Sequence, residues 1–257
     1  MKPLRLKDKL QSGQLTLGSW ITLGHPAIAE ILARIGFDWL VVDLEHSTIS
    51  LEQAGELIRV IELSGVAPLV RLTSNDENQI KRIMDAGAHG IVVPMVNSAE
   101  DARSAVSATR YAPHGTRGVG LARAQGYGVD FQDYMEWQKN SPVVIVQIEH
   151  KAALANLEEI LSVPGVDGYI IGPYDLSCSM GIPGEFSHPD MIENLNLIRA
   201  AGQKLNVPGG LHIVEPDVDS LSKCIAGGNR FIAYSVDIRM LDVSARVGMS
   251  VLKGCNQ

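Results

Sequence analysis

Short apolar runs and longer amphipathic stretches alternate along the chain, separated by turn residues, and the alternation continues to the C-terminal end. The apolar runs predict strands at Gly18–Leu23, Trp39–Leu44, Pro68–Leu72, Gly90–Val96, Val143–Glu149, Gly168–Gly172, Gly209–Val214 and Phe231–Val236. Between and after them, helical spacing predicts helices at Ala27–Ile35, Leu51–Ser64, Glu77–Ala86, Ala99–Tyr111, Leu154–Ser162, Asp190–Leu205, Asp217–Ala226 and Asp237–Leu252. Unbroken runs such as Val143–Val146 are how strands read when helices cover both faces of a parallel sheet. Glycines at helix exits, Gly36, Gly87, Gly165 and the pair Gly227-Gly228, supply the left-handed residue that turns the chain into the next strand. Eight strand–helix units in 257 residues predict an α/β fold, a single-domain (β/α)8 TIM barrel over residues 1–257. No linker or composition break divides the chain. The segment Pro113–Gln138 departs from the rhythm as a long, Gly-rich connection, and connections of that length are usually functional.

Composition narrows the partners. The chain is 46% hydrophobic and 20% charged, which suits a globular protein with one large core. With 22 Lys and Arg against 29 Asp and Glu the net charge is −7. That excess argues against a protein that binds nucleic acid by neutralising phosphates and leaves a small molecule as the better partner. Met1–Leu10 is basic and amphipathic but lacks the apolar centre of a signal peptide, and no run is long and apolar enough to span a bilayer. The expectation is a cytoplasmic protein without a membrane partner. Cys178, Cys224 and Cys255 are widely spaced with no CxxC pairing, so they read as free thiols, with Cys255 in a tail.

In such a barrel chemistry collects where the strands end. Strand two ends at Asp43-Leu44-Glu45-His46, strand three at Arg71, strand five at Gln147-Ile148-Glu149 and strand six at Gly172-Pro173-Tyr174-Asp175; strand seven ends near His212 and strand eight near Ser235 and Asp237. Gln147 and Glu149 are two apart and so share a face, which places both toward the mouth. Glu149 and Asp175, on adjacent strands about 4.8 Å apart, suit one hard divalent cation, Mg²⁺, Mn²⁺ or Co²⁺, with positions left for substrate oxygens. The same acids can instead cap helices or pair with arginine. A histidine with a carboxylate close by, as His46 has, is what a general base needs, although a structural or a metal role is open to it too. Arg71 offers a fixed fork for a carboxylate or an enolate oxygen, or an ion pair with Asp43 or Glu45.

Together these segments resemble the HpcH/HpaI aldolase family of metal-dependent class II pyruvate aldolases. The likeness rests on Trp39–His46, Pro68–Arg71, Tyr111–Gly120 with its Arg117-Gly118-Val119-Gly120, Gln147–Glu149 and Ile171–Ser177, which follow in order through nearly the whole chain. The resemblance implies that Glu149 and Asp175 hold the metal and that Gln147 lies beside its water. Arg71 would face the pyruvate carbonyl, and His46 with Asp43 would form the base dyad. Gly172, Pro173 and Tyr174 would receive the pyruvate carboxylate, and Asp85 would reach a neighbouring subunit's site in a homo-oligomer, a trimer or a hexamer. The activity implied is cleavage of a 4-hydroxy-2-oxo acid, such as a 2-keto-3-deoxy sugar acid or a 4-hydroxy-2-oxo diacid, to pyruvate and an aldehyde through an enolate held at the cation. Small-molecule keto acid and aldehyde are then the partners. Schiff-base chemistry is disfavoured because no lysine sits at a predicted strand end.

The departures bear on substrate. Tyr174 stands where the family commonly carries a smaller residue and reshapes the carboxylate end of the pocket. Arg123 and Tyr127 are candidates to grip the distal part of the aldehyde, or else pack the loop, and Trp20 and His212 are further rim candidates. Arg117 among its glycines offers an anion site or simply a flexible turn. His25, His89, His114, His150 and His188 read as surface, capping or loop residues. The alternative function is a condensing enzyme that makes a citrate-like product from a keto acid and an acyl thioester.

Overall fold

The computed structural model describes residues 6–255, with side chains described as far as residue 250. Residues 1–5 of the basic N-terminal stretch and the Cys255 side chain lie outside the described residues. Eight parallel strands close in sequence order into a barrel: β1 (Thr16–Ile21), β2 (Trp39–Asp43), β3 (Ala67–Arg71), β4 (Gly90–Val93), β5 (Val143–Ile148), β6 (Gly168–Ile171), β7 (Gly209–Ile213) and β8 (Phe231–Val236). The helices are α1 (Leu6–Gln11), α2 (Pro26–Ala33), α3 (Leu51–Leu63), α4 (Glu77–Ala86), α5 (Ala99–Ala108), α6 (Phe131–Asn140), α7 (Lys151–Leu154), α8 (Leu157–Leu161), α9 (Pro173–Met180), α10 (Pro189–Leu205), α11 (Val218–Ala226) and α12 (Asp237–Cys255). The (β/α)8 expectation holds. No helix among the described residues is long and apolar enough to cross a membrane.

Local chemistry explains the boundaries. Ser50 and Ser98 form capping boxes with Gln53 and Asp101, while His25, His150 and His188 each accept a backbone N–H as the N-cap of α2, α7 and α10. The glycines predicted to end helices, Gly36, Gly87, Gly165 and Gly228, all have φ between 85° and 104°.

Strand alternation divides the core in two. Leu40, Val42, Val70, Ile91, Val144, Val146 and Ile148 face the helices, while Trp39, Val41, Leu69, Val92, Ile145, Ile170 and Phe231 fill the barrel. At the bottom, Trp39 stacks on Phe231 with ring centroids 4.1 Å apart, and Leu6 and Leu10 of α1 plug the end. Gly18 makes this possible, since a Cβ there would lie 2.1 Å from the Trp39 ring. At the top, the inward positions of β2 and β3 become Asp43 and Arg71, which are register partners.

Several elements differ from expectation. β1 starts and ends two residues early because Thr16 pairs with Phe231 across the closing seam. β4 stops at Val93, where Pro94 and the left-handed Met95 (φ 53°) turn the chain away. Leu154–Ser162 is broken, with α7 before it and α8 within it, and α9 begins directly after β6, so Asp175 sits in the first turn of a helix. His89 lies in the loop before β4, as one of the readings had it, but is buried against Glu62.

The connection from 113 to 138 is ordered around Arg117, whose fully buried guanidinium donates to Asp85 and Tyr134 and lies over the Tyr111 ring. This ion pair accounts for Arg117 without an anion. The short segment Arg123–Gly128 and α6 complete the connection. Arg117→Met leaves Asp85 and Tyr134 without their buried donor. It is expected to cost about 3 kcal/mol, read as a fall in melting temperature of roughly 6 °C or more.

Candidate active site

The two-residue period of the strands brings the top of the barrel together. Asp43 is 2% exposed and accepts two parallel bonds from Arg71, Nε at 2.9 Å and Nη2 at 2.6 Å. It also takes the backbone N–H groups of Glu45 and His46, at 3.0 and 3.3 Å. Asp43 therefore fixes the arginine fork and the turn after β2, while the Arg71 guanidinium carbon sits over Trp20, 4.3 Å from the ring centre. The expected His46–Asp43 side-chain dyad is not formed. The Asp43 carboxylate is spent on Arg71, and the nearest acid to His46 is Glu45, with 3.9 Å between Nε2 and Oε2. The His46 side chain remains 67% exposed at the rim.

Glu149 lies just beyond β5 and is buried. One of its oxygens accepts the Met95 backbone N–H at 2.7 Å and the other accepts Gln147 Nε2. Burial pushes its carboxyl above the ordinary range, and the nearby Asp175 carboxylate adds to the rise against the pull of Gln147, Met95 and Arg71. Burial raises Glu45 as well; Arg71 opposes this and Glu149 adds to it. Three carboxylates thus crowd one rim whose arginine is bonded to a fourth, Asp43, and reaches only Glu45 of the three, at 3.3 Å. Gln147 Oε1 is buried with no donor, an oxygen left over beside those acids. These oxygens have the charge and hardness a divalent cation requires. Among the described residues no three His, Cys, Asp or Glu side chains converge to hold an ion, so a cation at Glu149 and Asp175 would keep positions for water and substrate.

Gly172 keeps this corner open. A Cβ there would come within 2.8 Å of Glu149 Cβ and Oε2 and 3.4 Å of Gln147 Nε2. Gly172→Ala should displace the carboxylate and lower kcat/KM by roughly 10²-fold with weaker activation by added metal, measured by titrating Mg²⁺ or Mn²⁺ into the apo-protein.

A cavity of about 370 Å³ opens here. Trp20, Arg71 and His212 form its inner side, and Pro173, Tyr174 and Phe186 its outer wall. Tyr174 and Phe186 meet edge to face, 4.8 Å apart, so the larger residue at 174 makes an aromatic lip. No lysine lines the cavity. A hollow of about 480 Å³ at the opposite end of the barrel, beside Arg199 and Arg230, has no carboxylate in its wall and no strand C-terminus.

Two expected residues lie elsewhere. Arg123 donates to Glu62 and the Ala86 carbonyl, at the ends of α3 and α4 away from the mouth, so within its own barrel it grips nothing at the cavity. Asp85 is engaged by Arg117 of its own chain. The Met95 N–H went unassigned from sequence, Glu45 was expected only as an ion-pair partner of Arg71, and the buried Ser235 and Asp237 were placed at the rim without a role. Ser235 has φ 56° and its carbonyl accepts His212 Nε2 at 3.0 Å. Asp237 accepts Thr22 N, Thr22 Oγ1 and Leu23 N, tying the loop after β1 to the end of β8.

The barrel and its acidic, arginine-bearing mouth define an enzyme of the (β/α)8 class with a site for a small anionic substrate. The chain belongs to the HpcH/HpaI aldolase/citrate lyase family, whose model matches residues 16–242. It is 39% identical over 242 residues to a hydroxypyruvate/pyruvate aldolase from Sagittula stellata, covering 94% of each chain. It is 39% identical over 237 residues to the 2-keto-3-deoxy-L-rhamnonate aldolase of Escherichia coli K12, covering 90% of this chain and 86% of that one. Among solved structures, an HpcH/HpaI aldolase/citrate lyase family protein from Burkholderia cenocepacia matches with a TM-score of 0.90 at 31% identity, covering 96% of this chain and 98% of the other. The citrate synthase SbnG matches with a TM-score of 0.84 at 28% identity, covering 98% and 99%.

Proposed function

We propose that the protein is a divalent-cation-dependent aldolase that cleaves 4-hydroxy-2-oxo acids to pyruvate, or a close 2-oxo acid, and an aldehyde, and that runs the same reaction in reverse. The observation that carries this reading is the mouth itself: Glu45, Glu149 and Asp175 crowd together, Gln147 Oε1 lacks a donor, Arg71 is held rigid and no lysine is present. Glu149 and Asp175 would hold the ion, and Mg²⁺, Mn²⁺ and Co²⁺ all suit two carboxylates and water. A bound cation would supply Lewis-acid stabilisation of negative charge on the keto oxygen.

The protein's own groups do the rest. Arg71, fixed by Asp43 and Trp20, faces the keto oxygen and stabilises the enolate. The start of α9, at Gly172, Pro173 and Tyr174, receives the carboxylate through backbone N–H groups. In cleavage His46 takes the proton of the 4-hydroxyl, the C3–C4 bond breaks with its electrons passing to the enolate, and the aldehyde leaves. A proton returned to C3 completes the keto acid. His46 stands at the rim with Glu45 beside it, a position that suits the aldehyde end of the substrate.

The family resemblance supports a homo-oligomer, a trimer or a hexamer in which Asp85 borders a neighbour's site. The exposed Val119, Leu121, Tyr127 and Val129 beside that segment have the character of a surface covered by another copy. A cytoplasmic location fits the free thiols of Cys178 and Cys224.

The test is a screen of apo-protein with pyruvate and a panel of aldehydes, with each metal added in turn. Metal-restored aldol formation supports the reading. No pyruvate-forming activity with any metal on any 4-hydroxy-2-oxo acid overturns it. The likeness to a citrate synthase favours a second reading, thioester condensation. Free CoA released from oxaloacetate and acetyl-CoA would establish that one instead.

A further inference from the structure

The hollow at the lower end of the barrel lies between the C-terminal part of α10, the turn after α11 and the end of α1, under the starts of β7 and β8. Its volume of about 480 Å³ falls within the roughly 300–1,000 Å³ of small-molecule sites. Arg199 and Arg230 both line it. The bonds their guanidinium groups make run to an amide and to carbonyls. Arg199 Nη1 donates to Asn196 Oδ1 at 3.4 Å, and Arg230 Nη1 donates to the Asn229 and Ile225 carbonyls at 2.9 and 3.5 Å. Arg199 Nε is buried with no acceptor. By contrast Arg71, Arg117, Arg123 and Arg239 are each matched to an acid. Neither Arg199 nor Arg230 has a carboxylate partner among the described residues, and no acid lines the hollow, in a chain whose net charge is −7.

Two uncompensated guanidinium groups in one cavity wall repel each other and attract an anion. The rest of the wall suits a solute larger than a bare ion. Tyr169, 4% exposed, is set into it because Gly202 and Gly209 leave room for its ring, where a Cβ would come within 2.4 and 2.0 Å. Gln11, Gln203 and Asn206 stand exposed at the edge, with amides able to donate to and accept from hydroxyl groups.

We infer that this hollow is a binding site for a small organic phosphate, with the phosphate held between Arg199 and Arg230 and the polar frame against Tyr169 and the edge amides. A phosphate monoester surrounds one phosphorus with three acceptor oxygens and so can meet two guanidinium forks from separate elements, whereas a carboxylate has two oxygens to share. No bond is made or broken there. The packed interior of the barrel separates this site from Asp43, Arg71 and Glu149, so its occupant does not compete with the keto acid. The site stands or falls independently of the aldolase reading.

The probes are glycerol 3-phosphate, ribose 5-phosphate, inorganic phosphate and succinate, each titrated calorimetrically into the full chain with Mg²⁺ and saturating pyruvate present. The two esters should bind one per chain, more tightly than inorganic phosphate or succinate. Arg199→Gln and Arg230→Gln should each weaken ester binding by about tenfold or more, the effect of losing a charge-assisted hydrogen bond. Arg71→Lys, which alters the mouth, should leave ester binding unchanged. Gln203→Glu sets a carboxylate at the exposed edge and should weaken it by repulsion, which keeps the question decidable if an arginine variant does not fold. The inference is overturned by no saturable ester binding, by binding that Arg199→Gln and Arg230→Gln leave unmoved, or by binding lost in Arg71→Lys. Esters bound no more tightly than inorganic phosphate or succinate would overturn it as well.

Discussion

Glu149→Gln is expected to give a folded barrel without aldol turnover that melts at a higher temperature than the wild type when both are metal-free. The two effects have one cause. Burial and the Asp175 carboxylate make the ionised Glu149 unfavourable in the folded state, so its pKa lies above the ordinary carboxylate range. At neutral pH the unfolded chain ionises this group more readily than the native one does. Its contribution therefore weakens folding as pH rises from that ordinary range through the raised value, and an amide abolishes the effect. The amide can still accept the Met95 N–H, and Gln147 can turn its amide to meet it. On the proposed reading, loss of one of the two charged ligands should cost about 10³-fold in kcat, several kcal/mol of charge stabilisation. The same shift gives the pH dependence of the wild type: metal activation should fade on acidification at a higher pH than an ordinary carboxylate would give. Calorimetry of metal-free protein and metal titrations across pH read both. An unchanged melting temperature with full activity would remove Glu149 from the site.

Arg71→Lys is the second large effect. Arg71 satisfies both oxygens of a carboxylate that is 2% exposed while sitting over an indole, and an ammonium cannot reproduce that planar fork. Its loss as a donor to the developing enolate should cost roughly 10²- to 10³-fold in kcat. The half-satisfied Asp43 should also destabilise the fold by about 1–3 kcal/mol. Asp43→Asn tests the positioning role, because it leaves Arg71 in place with a weaker anchor. It should lower kcat with a smaller change in donor KM, whereas a purely structural Asp43 would lower the melting temperature alone.

How much of this could be read from the sequence follows from which positions obey a period. Alternation along β2 and β5 means that Trp39-Leu40-Val41-Val42-Asp43 already places Asp43 inside the barrel, and Gln147 and Glu149 share a face for the same reason. Beyond a strand end the period stops. His46 lies three residues after β2, where the turn sends it to the rim, and no spacing rule distinguishes Glu45 from Asp43 as its neighbour. Arg123 lies in a segment whose path is set by the buried Arg117–Asp85 pair and by Gln125 reaching Tyr111, contacts between residues far apart in sequence. The helix α6 was hidden by its mixed composition, since only Tyr134 and Gln138 of its ten residues are buried. The Met95 contribution comes from a backbone N–H in a left-handed conformation, which no side-chain pattern announces.

The sealed floor of the barrel has a kinetic meaning. Among the described residues Leu6, Leu10, Trp39 and Phe231 close the lower end, so on the proposed reading reactants would enter and leave at the mouth, past Tyr174 and Phe186. On the proposed reading the keto acid would lie deepest, against Arg71 and Trp20, with the aldehyde above it. Traffic in a blind tunnel is last in, first out: the keto acid must bind before the aldehyde in synthesis and depart after it in cleavage. Product inhibition should then be competitive between pyruvate and the cleavage substrate and noncompetitive for the aldehyde.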